Sequence, residues 1–260
     1  MKKLSLTASI QKRNSMNQSA FIPYMMAGDG GLEVLNERIS FLEASGADAI
    51  EIGIPFSDPV ADGDVIQEAG SRALAQGVTL RKVMRELQKE RHAIPLVVMS
   101  YLNPILSFGI PEFVKACEQA AVRGIIIPDL PYEERDLLAN ALVDKDIALV
   151  PLISLTSSKE RIDKIAQVAE GFIYAVTVNG ITGIRSGFDE ELEDHLSELK
   201  QVSKVPVLAG FGISTPEQVR DFSLIADGVI VGSAIVSAFQ EENYEKIQSL
   251  IEADRVVVKP

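Results

Sequence analysis

Short apolar segments alternate along this chain with stretches in which apolar residues recur at helical spacing. Such alternation favours a parallel sheet whose strands are joined by right-handed helical crossovers. The predicted strands cover residues 20–27, a segment that ends at residue 51, and residues 95–101, 124–128, 147–153, 171–176, 205–210 and 228–232. Eight strands in 260 residues match a (β/α)8 barrel, which typically takes about 250 residues.

The sequence therefore predicts an α/β fold: a single (β/α)8 TIM barrel domain over residues 1–260, with an additional N-terminal helix from Leu4 to about Asn17. An open, doubly wound sheet is the alternative, but the Gly-x-Gly-x-x-Gly turn typical of its first crossover is missing. A helix is expected over 133–145 and a loop over 103–109. A capping box is expected over Ser157-Ser158-Lys159-Glu160, and Ser214 or Thr215 is expected to cap a later helix.

Composition argues against several classes of partner and of functional site. A formal charge of -12 and a pI near 4.7 argue against nucleic acid or an anionic membrane as general partners. The single cysteine, Cys117, cannot form an internal disulfide, and together with the lack of a signal-peptide pattern this predicts a cytoplasmic protein. His92 and His195 have no plausible metal ligands beside them, so we expect no metal site and regard carboxylates as the acid–base candidates.

One carboxylate, Glu51, falls at the end of the second predicted strand between apolar neighbours. Because side chains alternate along a strand, Glu51 shares its face with the small residues Ala49 and Gly53. A lone glutamate costs free energy there unless it is paired, protonated or used in chemistry. Asp58 and Asp62 follow in a proline-containing loop, where solvent exposure alone explains most acids.

Glycine-bearing turns follow the sixth, seventh and eighth predicted strands. They are Thr182-Gly183, Gly210-Phe211-Gly212 and Gly232-Ser233. Glycine lets backbone N–H groups approach an anion, and a helix that begins at Ser233 adds a favourable dipole. Barrel enzymes often hold phosphate at these strand ends, so the joint placement of the three turns predicts a phosphate site.

Aromatic and apolar residues near the strand ends are candidates for the wall of a flat pocket, and ordinary barrel packing is the alternative for each of them. The set is Phe21, Met99, Tyr101, Ile153, Tyr174 and Phe211. An apolar wall, two carboxylates and a phosphate site together suggest a phosphorylated substrate with a planar ring.

The segment from Glu51 to Gly63, Glu-Ile-Gly-Ile-Pro-Phe-Ser-Asp-Pro-Val-Ala-Asp-Gly, resembles the signature of the tryptophan synthase alpha chain family. The similarity covers nearly the whole chain in the right order, through Pro23–Asp29, Tyr101–Pro104, Pro128–Pro131, Gly180–Gly183, Gly210–Ser214 and Gly232–Ala234. The resemblance implies a lyase that cleaves indole-3-glycerol phosphate into indole and glyceraldehyde 3-phosphate. It implies Glu51 and Asp62 as the catalytic pair, with Tyr174 in support.

The family works as an αββα complex with a pyridoxal-phosphate beta chain that receives the indole. The resemblance therefore implies a beta-chain partner and no cofactor in this chain. It assigns to the partner face Pro55, Phe56, Asp58 and the 103–109 loop, with Asn103 and Pro104. It also places the substrate phosphate on backbone groups at Gly183, Gly212 and Ser233.

Two departures from the family pattern concern loops. Asp64 stands where proline is more common, and Thr177-Val178-Asn179 replaces a segment that often includes a Ser-Arg pair. Both predict normal chemistry with altered dependence on the partner. The rival hypotheses are another phosphate-binding barrel, such as indole-3-glycerol phosphate synthase or a histidine-pathway isomerase, a stand-alone indole-releasing lyase, and a non-catalytic regulatory barrel subunit. The strand ends offer no lysine for the synthase reaction, and retention of both acids argues against a non-catalytic role.

Overall fold

The computed structural model describes residues 5–177, 190–210 and 212–255. Within them a parallel sheet of nine strands has the order β5-β4-β3-β2-β1-β9-β8-β7-β6. The strands are β1 Ala20–Met26, β2 Ile50–Gly53, β3 Leu96–Met99, β4 Val122–Ile126, β5 Ala148–Leu149, β6 Leu152–Ser154, β7 Ile173–Val176, β8 Val207–Gly210 and β9 Gly228–Val231.

The fifth predicted strand forms the two edges of this sheet. β5 pairs with β4, and β6 pairs with β7. The two residues between them continue both ladders, because Val150 N donates to Ile125 O on β4 at 2.9 Å and Pro151 O accepts from Tyr174 N on β7 at 2.9 Å. Pro151 has no N–H of its own, which explains why regular strand structure stops there. The predicted (β/α)8 barrel is thus confirmed, with its fifth strand in two parts.

Helices cover the outside of the sheet. They are α1 Ser5–Asn14, α2 Leu35–Ser45, α3 Asp64–Ala75, α4 Leu80–Leu87, α5 Leu102–Phe108, α6 Ile110–Gln119, α7 Asp136–Ala139, α8 Lys159–Val168, α9 Glu190–Val202, α10 Pro216–Ile225, α11 Ser233–Gln240 and α12 Tyr244–Arg255. Across the described residues, none of these helices has the length and apolar character needed to cross a membrane.

Two predicted connections are wrong. The expected loop over 103–109 is largely helix α5, which tolerates Pro104 because the first turn needs no intrahelical N–H there. The Asp129 carboxylate accepts a hydrogen bond from Leu102 N at 2.9 Å and so caps this helix. The expected helix over 133–145 is broken into α7 and two flanking 3-10 turns, 132–134 and 140–142, in which N–H groups bond three residues back.

Helix caps were located to within one residue. Thr215 caps α10 and forms a complete capping box with Gln218, as one of the two predicted candidates. The cap of α8 is Ser158, whose hydroxyl accepts from Arg161 N at 3.4 Å, and not Ser157.

The predicted N-terminal helix is α1, and it closes the amino-terminal end of the barrel. Leu6 is fully buried there. A Cβ added at Gly124 would lie 2.8 Å from Leu6 Cδ2, and one added at Gly171 would lie 3.0 Å from the same atom, so both glycines make room for this side chain. Thr7 Oγ1 donates to Gly171 O at 2.9 Å and fixes the helix in place.

We predict that Leu6→Ala lowers the free energy of unfolding by about 2–5 kcal/mol, because the barrel wall cannot collapse into the cavity that the substitution leaves. Urea unfolding followed by circular dichroism measures this change. Leu224→Ala is the matched control: Leu224 is 56% exposed, so its truncation should change stability by no more than about 0.5 kcal/mol. Equal losses for the two variants would contradict a plugging role for α1.

Candidate functional site

Glu51 projects into the barrel interior from β2. Its Cα pairs with Tyr24 on β1 and with Val97 on β3, so the three side chains share one face. Glu51 is 1% exposed, and among the described residues its Oε2 has no hydrogen-bond partner. Burial raises the pKa of Glu51 to about 8, and the nearby charge of Asp62 adds to the effect. Glu51 is therefore a protonated acid at neutral pH.

Asp62 lies on the loop between β2 and α3 and is only half-buried. Its backbone is held on both sides, since its N–H donates to Pro59 O at 3.1 Å and its carbonyl accepts from Gln67 Nε2 at 2.7 Å. Burial raises the pKa of Asp62 to about 6, and a hydrogen bond from the Tyr101 hydroxyl opposes that rise. Because the two carboxyl pKa values are separated, Asp62 is mostly ionised at a pH where Glu51 still carries its proton.

Three tyrosines, Tyr24, Tyr101 and Tyr174, surround the two carboxyl groups. Burial, followed by the charges of Asp62 and Glu51, raises the pKa of Tyr24 and Tyr174 well above the usual range. The pKa of Tyr101 rises to about 12, with burial as the largest cause. All three hydroxyls therefore stay neutral and remain able to donate hydrogen bonds at physiological pH.

Two glycines create the space that the buried tyrosines occupy. A Cβ at Gly53, two residues after Glu51 on the same strand face, would overlap the Tyr24 hydroxyl. A Cβ at Gly210 would lie 2.6 Å from the Tyr174 hydroxyl. The absence of a side chain at these two positions of β2 and β8 leaves room for the tyrosine hydroxyls near the centre of the barrel.

The structure brings some of the predicted wall residues to Glu51 and not others. Met99 pairs with Gly53 and shares the face of Glu51, and Tyr174 lies on that interior face as well. Phe21 is an odd number of residues from Tyr24 on β1, so it points to the opposite face. Ile153 likewise pairs with Ala175 and is turned away from Tyr174.

Tyr24 and Leu152 take the interior positions that the sequence prediction gave to Phe21 and Ile153. Tyr24 pairs with Glu51, and Leu152 pairs with Tyr174. The signal that could have found them is the two-residue period of a strand, once the inward direction of one residue on a neighbouring strand is known.

The structure describes some residues of the glycine turns that were predicted to bind phosphate, but not all of them. Gly232 immediately precedes α11, and Ser233 is its first residue. The side-chain position of Gly232 lies 3.8 Å from Tyr24 Cβ, which sets this turn beside the carboxyl site. Gly212 follows β8 at the same end of the barrel. Thr182, Gly183 and Phe211 lie outside the described residues.

A cavity of about 680 Å³, a size typical of small-molecule sites, adjoins Ala61, but its lining includes neither Glu51 nor Asp62. Its lining also includes Leu152, Val176 and Ile165 of α8. Among the described residues, no group of three or more His, Cys, Asp or Glu side chains is arranged to hold a metal ion.

The family model for the tryptophan synthase alpha chain matches residues 10–259 of this sequence. This chain belongs to the tryptophan synthase alpha chain family. It is 52% identical to an alpha chain of Listeria monocytogenes, with 95% of each chain covered, and 51% identical to that of Bacillus cereus, with 95% of this chain and 96% of the relative covered.

Solved structures of the same family superpose on this fold. The tryptophan synthase alpha subunit of Legionella pneumophila superposes with a TM-score of 0.86 at 33% identity, over 98% of this chain and all of that one. A chain of Mycobacterium tuberculosis tryptophan synthase gives a TM-score of 0.90 at 30% identity, with the same coverage. The predicted family and the predicted enzyme class, a lyase of tryptophan biosynthesis that acts on indole-3-glycerol phosphate, are thereby confirmed.

Residues that the alpha chain resemblance assigned to a partner face lie at the carboxyl ends of β2 and β3. Phe56 stacks on Tyr101 with ring centroids 4.9 Å apart, and Pro55 beneath it is buried. Asp58 and Asn103 are exposed, and Pro104 is half-buried in the first turn of α5. The ring stack links this surface to Tyr101, which in turn hydrogen-bonds Asp62.

We predict that Glu51 makes the alpha chain less stable as pH rises. Its pKa is raised from 4.5 to about 8 in the folded chain, so between these values the folded chain retains a proton that the unfolded chain has released. The free energy of unfolding then falls by up to about 1.4 kcal/mol per pH unit. The raised pKa of Asp62 acts in the same direction but only up to about pH 6, so the interval from about 6.5 to 8 isolates Glu51.

Urea unfolding at pH 6.5 and 8 tests this. Wild type should lose about 1–2 kcal/mol between the two values, and Glu51→Gln, which is neutral throughout, should lose much less. Asp62→Asn is the control and should keep most of the wild-type decrease, because burial is the larger cause of the raised pKa of Glu51. An undiminished decrease in Glu51→Gln would mean that its carboxyl is not the buried titrating group.

Proposed function

We propose that Glu51 and Asp62 catalyse the retro-aldol cleavage of indole-3-glycerol phosphate to indole and glyceraldehyde 3-phosphate in this chain. The observation that carries the proposal is the pair itself: one fully buried carboxyl group that is protonated at neutral pH, and a second, half-buried one that is ionised beside it. An acid and a base of different pKa in one site suit a reaction that needs both.

Glu51 supplies the proton that the ring needs. It protonates C3 of the indole ring, which gives an indolenine cation, and its carboxylate then removes the proton from the hydroxyl group on the adjacent carbon of the glycerol chain. The C3–carbon bond breaks as that oxygen becomes an aldehyde, and the bonding electrons restore the indole ring. Glu51 ends the cycle protonated, as it began, so no other proton donor is required.

Asp62 stabilises the charge that develops in between. Its carboxylate accepts the hydrogen bond of the indole N–H, which becomes more acidic as the ring gains positive charge. The Tyr101 hydroxyl and the Gln67 side chain hold Asp62 from two sides. Tyr24, Met99, Leu152 and Tyr174 form the wall against the ring and keep water from Glu51.

The phosphate group binds at the glycine turns. Backbone N–H groups at Gly232 and Ser233 begin α11, where the helix dipole favours an anion, and Gly212 faces the same mouth. Thr182 and Gly183 complete the site by family resemblance. The distance between this turn and the carboxyl pair is spanned by the glycerol chain of the substrate.

A beta chain is the partner, in an αββα assembly in the cytoplasm, and pyridoxal phosphate belongs to that beta chain and not to this one. The surface that supports this contains Phe56, Asp58, Asn103 and Pro104, together with Val60, which is 84% exposed.

Asp64 is the first residue of α3, where the helix dipole favours a negative charge. Its carboxylate therefore stabilises the start of a helix that proline more often begins in the family. The loop that it ends is less constrained, and we expect its closure to depend more strongly on the beta chain.

We predict that Glu51→Gln and Asp62→Asn each lower kcat for indole release by about 10²–10⁴-fold, the usual contribution of a general acid or base. Indole release from indole-3-glycerol phosphate measures the effect, with and without a cognate beta chain. The beta chain should accelerate wild type and leave both variants slow.

Each alternative has its own outcome. Wild-type turnover that survives Glu51→Gln would overturn the assigned proton donor. Equal wild-type rates with and without the beta chain would indicate a stand-alone lyase, and no turnover in either condition would indicate a regulatory barrel. Tyr244→Phe is the control, since Tyr244 is exposed at the start of α12 and the change removes only its hydroxyl, so it should keep the wild-type rate.

A further inference from the structure

The loop after β1 presents a carboxylate to helix α3. Asp29 is flanked by Gly28 and Gly30, whose φ angles of +85° and +87° favour glycine. The Asp29 side chain is nearly buried, and it accepts hydrogen bonds from Nε and Nη2 of Arg72 at 2.7 and 2.8 Å. This is the two-pronged geometry in which an arginine fixes direction as well as distance.

The packing of α3 on the barrel does not by itself fix the position of the helix. The buried face of α3 consists of Ile66, Ala69, Gly70 and Ala73. Ridges of side chains that fit into grooves are what fix one element against another, and a face this rich in Ala and Gly offers few of them. Packing sets how close α3 lies to the sheet, whereas a directional contact is needed to set its position along its own axis.

The first turn of α3 touches both halves of the proposed site. Gln67 donates from Nε2 to the carbonyl of Asp62 at 2.7 Å. The side-chain position of Gly232 lies 3.9 Å from Ile66 Cδ1. A displacement of α3 therefore moves Asp62 and the wall of the phosphate turn together.

The ion pair is also connected to the helix that begins at the phosphate turn. The Asp29 carbonyl accepts from Arg38 Nη1 at 2.5 Å, and the Arg38 guanidinium lies over the Phe239 ring of α11, 4.7 Å from its centroid. Asp29 thus contacts arginines that reach α3 on one side and α11 on the other.

We infer that the Asp29–Arg72 pair, named here the α3 brace, is a positioning device for catalysis: it sets the first turn of α3, and through it Asp62, against the substrate. Asp29 and Arg72 are positioning residues that act through Asp62. The inference rests on the proposed role of Asp62.

The test compares the α3 brace with a second ion pair of similar burial at the other end of the barrel. Arg13 Nε lies 2.8 Å from Asp48 Oδ1, with side-chain exposures of 20% and 11%, against 33% and 9% for Arg72 and Asp29. We expect Arg72→Gln and Arg13→Gln to lower Tm by similar amounts. Arg72→Gln should lower kcat for indole release by about 10–100-fold, as a misplaced catalytic group does, whereas Arg13→Gln should stay within about twofold of wild type.

Two further variants separate positioning from damage to the fold. Arg72→Lys keeps the charge without the fork and should recover part of the lost kcat. In an Asp62→Asn background, Arg72→Gln should cause little additional loss in single-turnover rate, because both changes remove the same contribution.

The outcomes distinguish the inference from the function on which it rests. Wild-type kcat in Arg72→Gln, with Asp62→Asn inactive, overturns the α3 brace and leaves the lyase mechanism intact. Multiplicative losses in the double variant also overturn it, because Arg72 then acts independently of Asp62. Wild-type activity in Asp62→Asn overturns the role of Asp62 and the inference with it.

Discussion

Closure of the sheet at the fifth strand is the constraint on which the site depends. Val150 and Pro151 hydrogen-bond to β4 on one side and β7 on the other, so the two edges of the sheet meet in a single segment of chain. All described strands are parallel, and a closed parallel sheet brings their carboxyl ends to one mouth. Glu51 and Ser233 reach that mouth from opposite ends of the sequence. Without closure, the acid and the turn proposed to bind phosphate would not lie at one mouth.

Inside the closed barrel, desolvation outweighs charge–charge repulsion in setting the chemistry. Burial is the larger cause of the raised pKa of Glu51, and the charge of Asp62 is the smaller one. Asp62 sits nearer the solvent and receives a hydrogen bond from Tyr101, so its pKa rises less. Depth in the barrel thus assigns the roles of the two carboxyl groups. The loop that carries Asp62 also carries Phe56, whose stack on Tyr101 connects the exposed mouth to the Asp62 carboxylate.

Much of the fold and part of the site follow from local pattern. Alternating apolar segments and helices predicted the barrel, and one buried carboxylate at a strand end predicted Glu51. The pattern could not show that Tyr24 and not Phe21 faces Glu51, because alternation gives the spacing of a face and not its direction; the register between β1 and β2 decides that. The same limit applies to Leu152 and Ile153.

The sequence by itself determined most of the elements, their order and the family, since these depend on residue type, spacing and short motifs. Only the tertiary structure decided which faces turn inward, where the fifth strand divides, and how Asp29 reaches Arg72 across 43 residues. The physical reason is that propensity and periodicity act over a few neighbouring residues. Register, burial and ion pairing depend instead on groups that meet only after the sheet has closed.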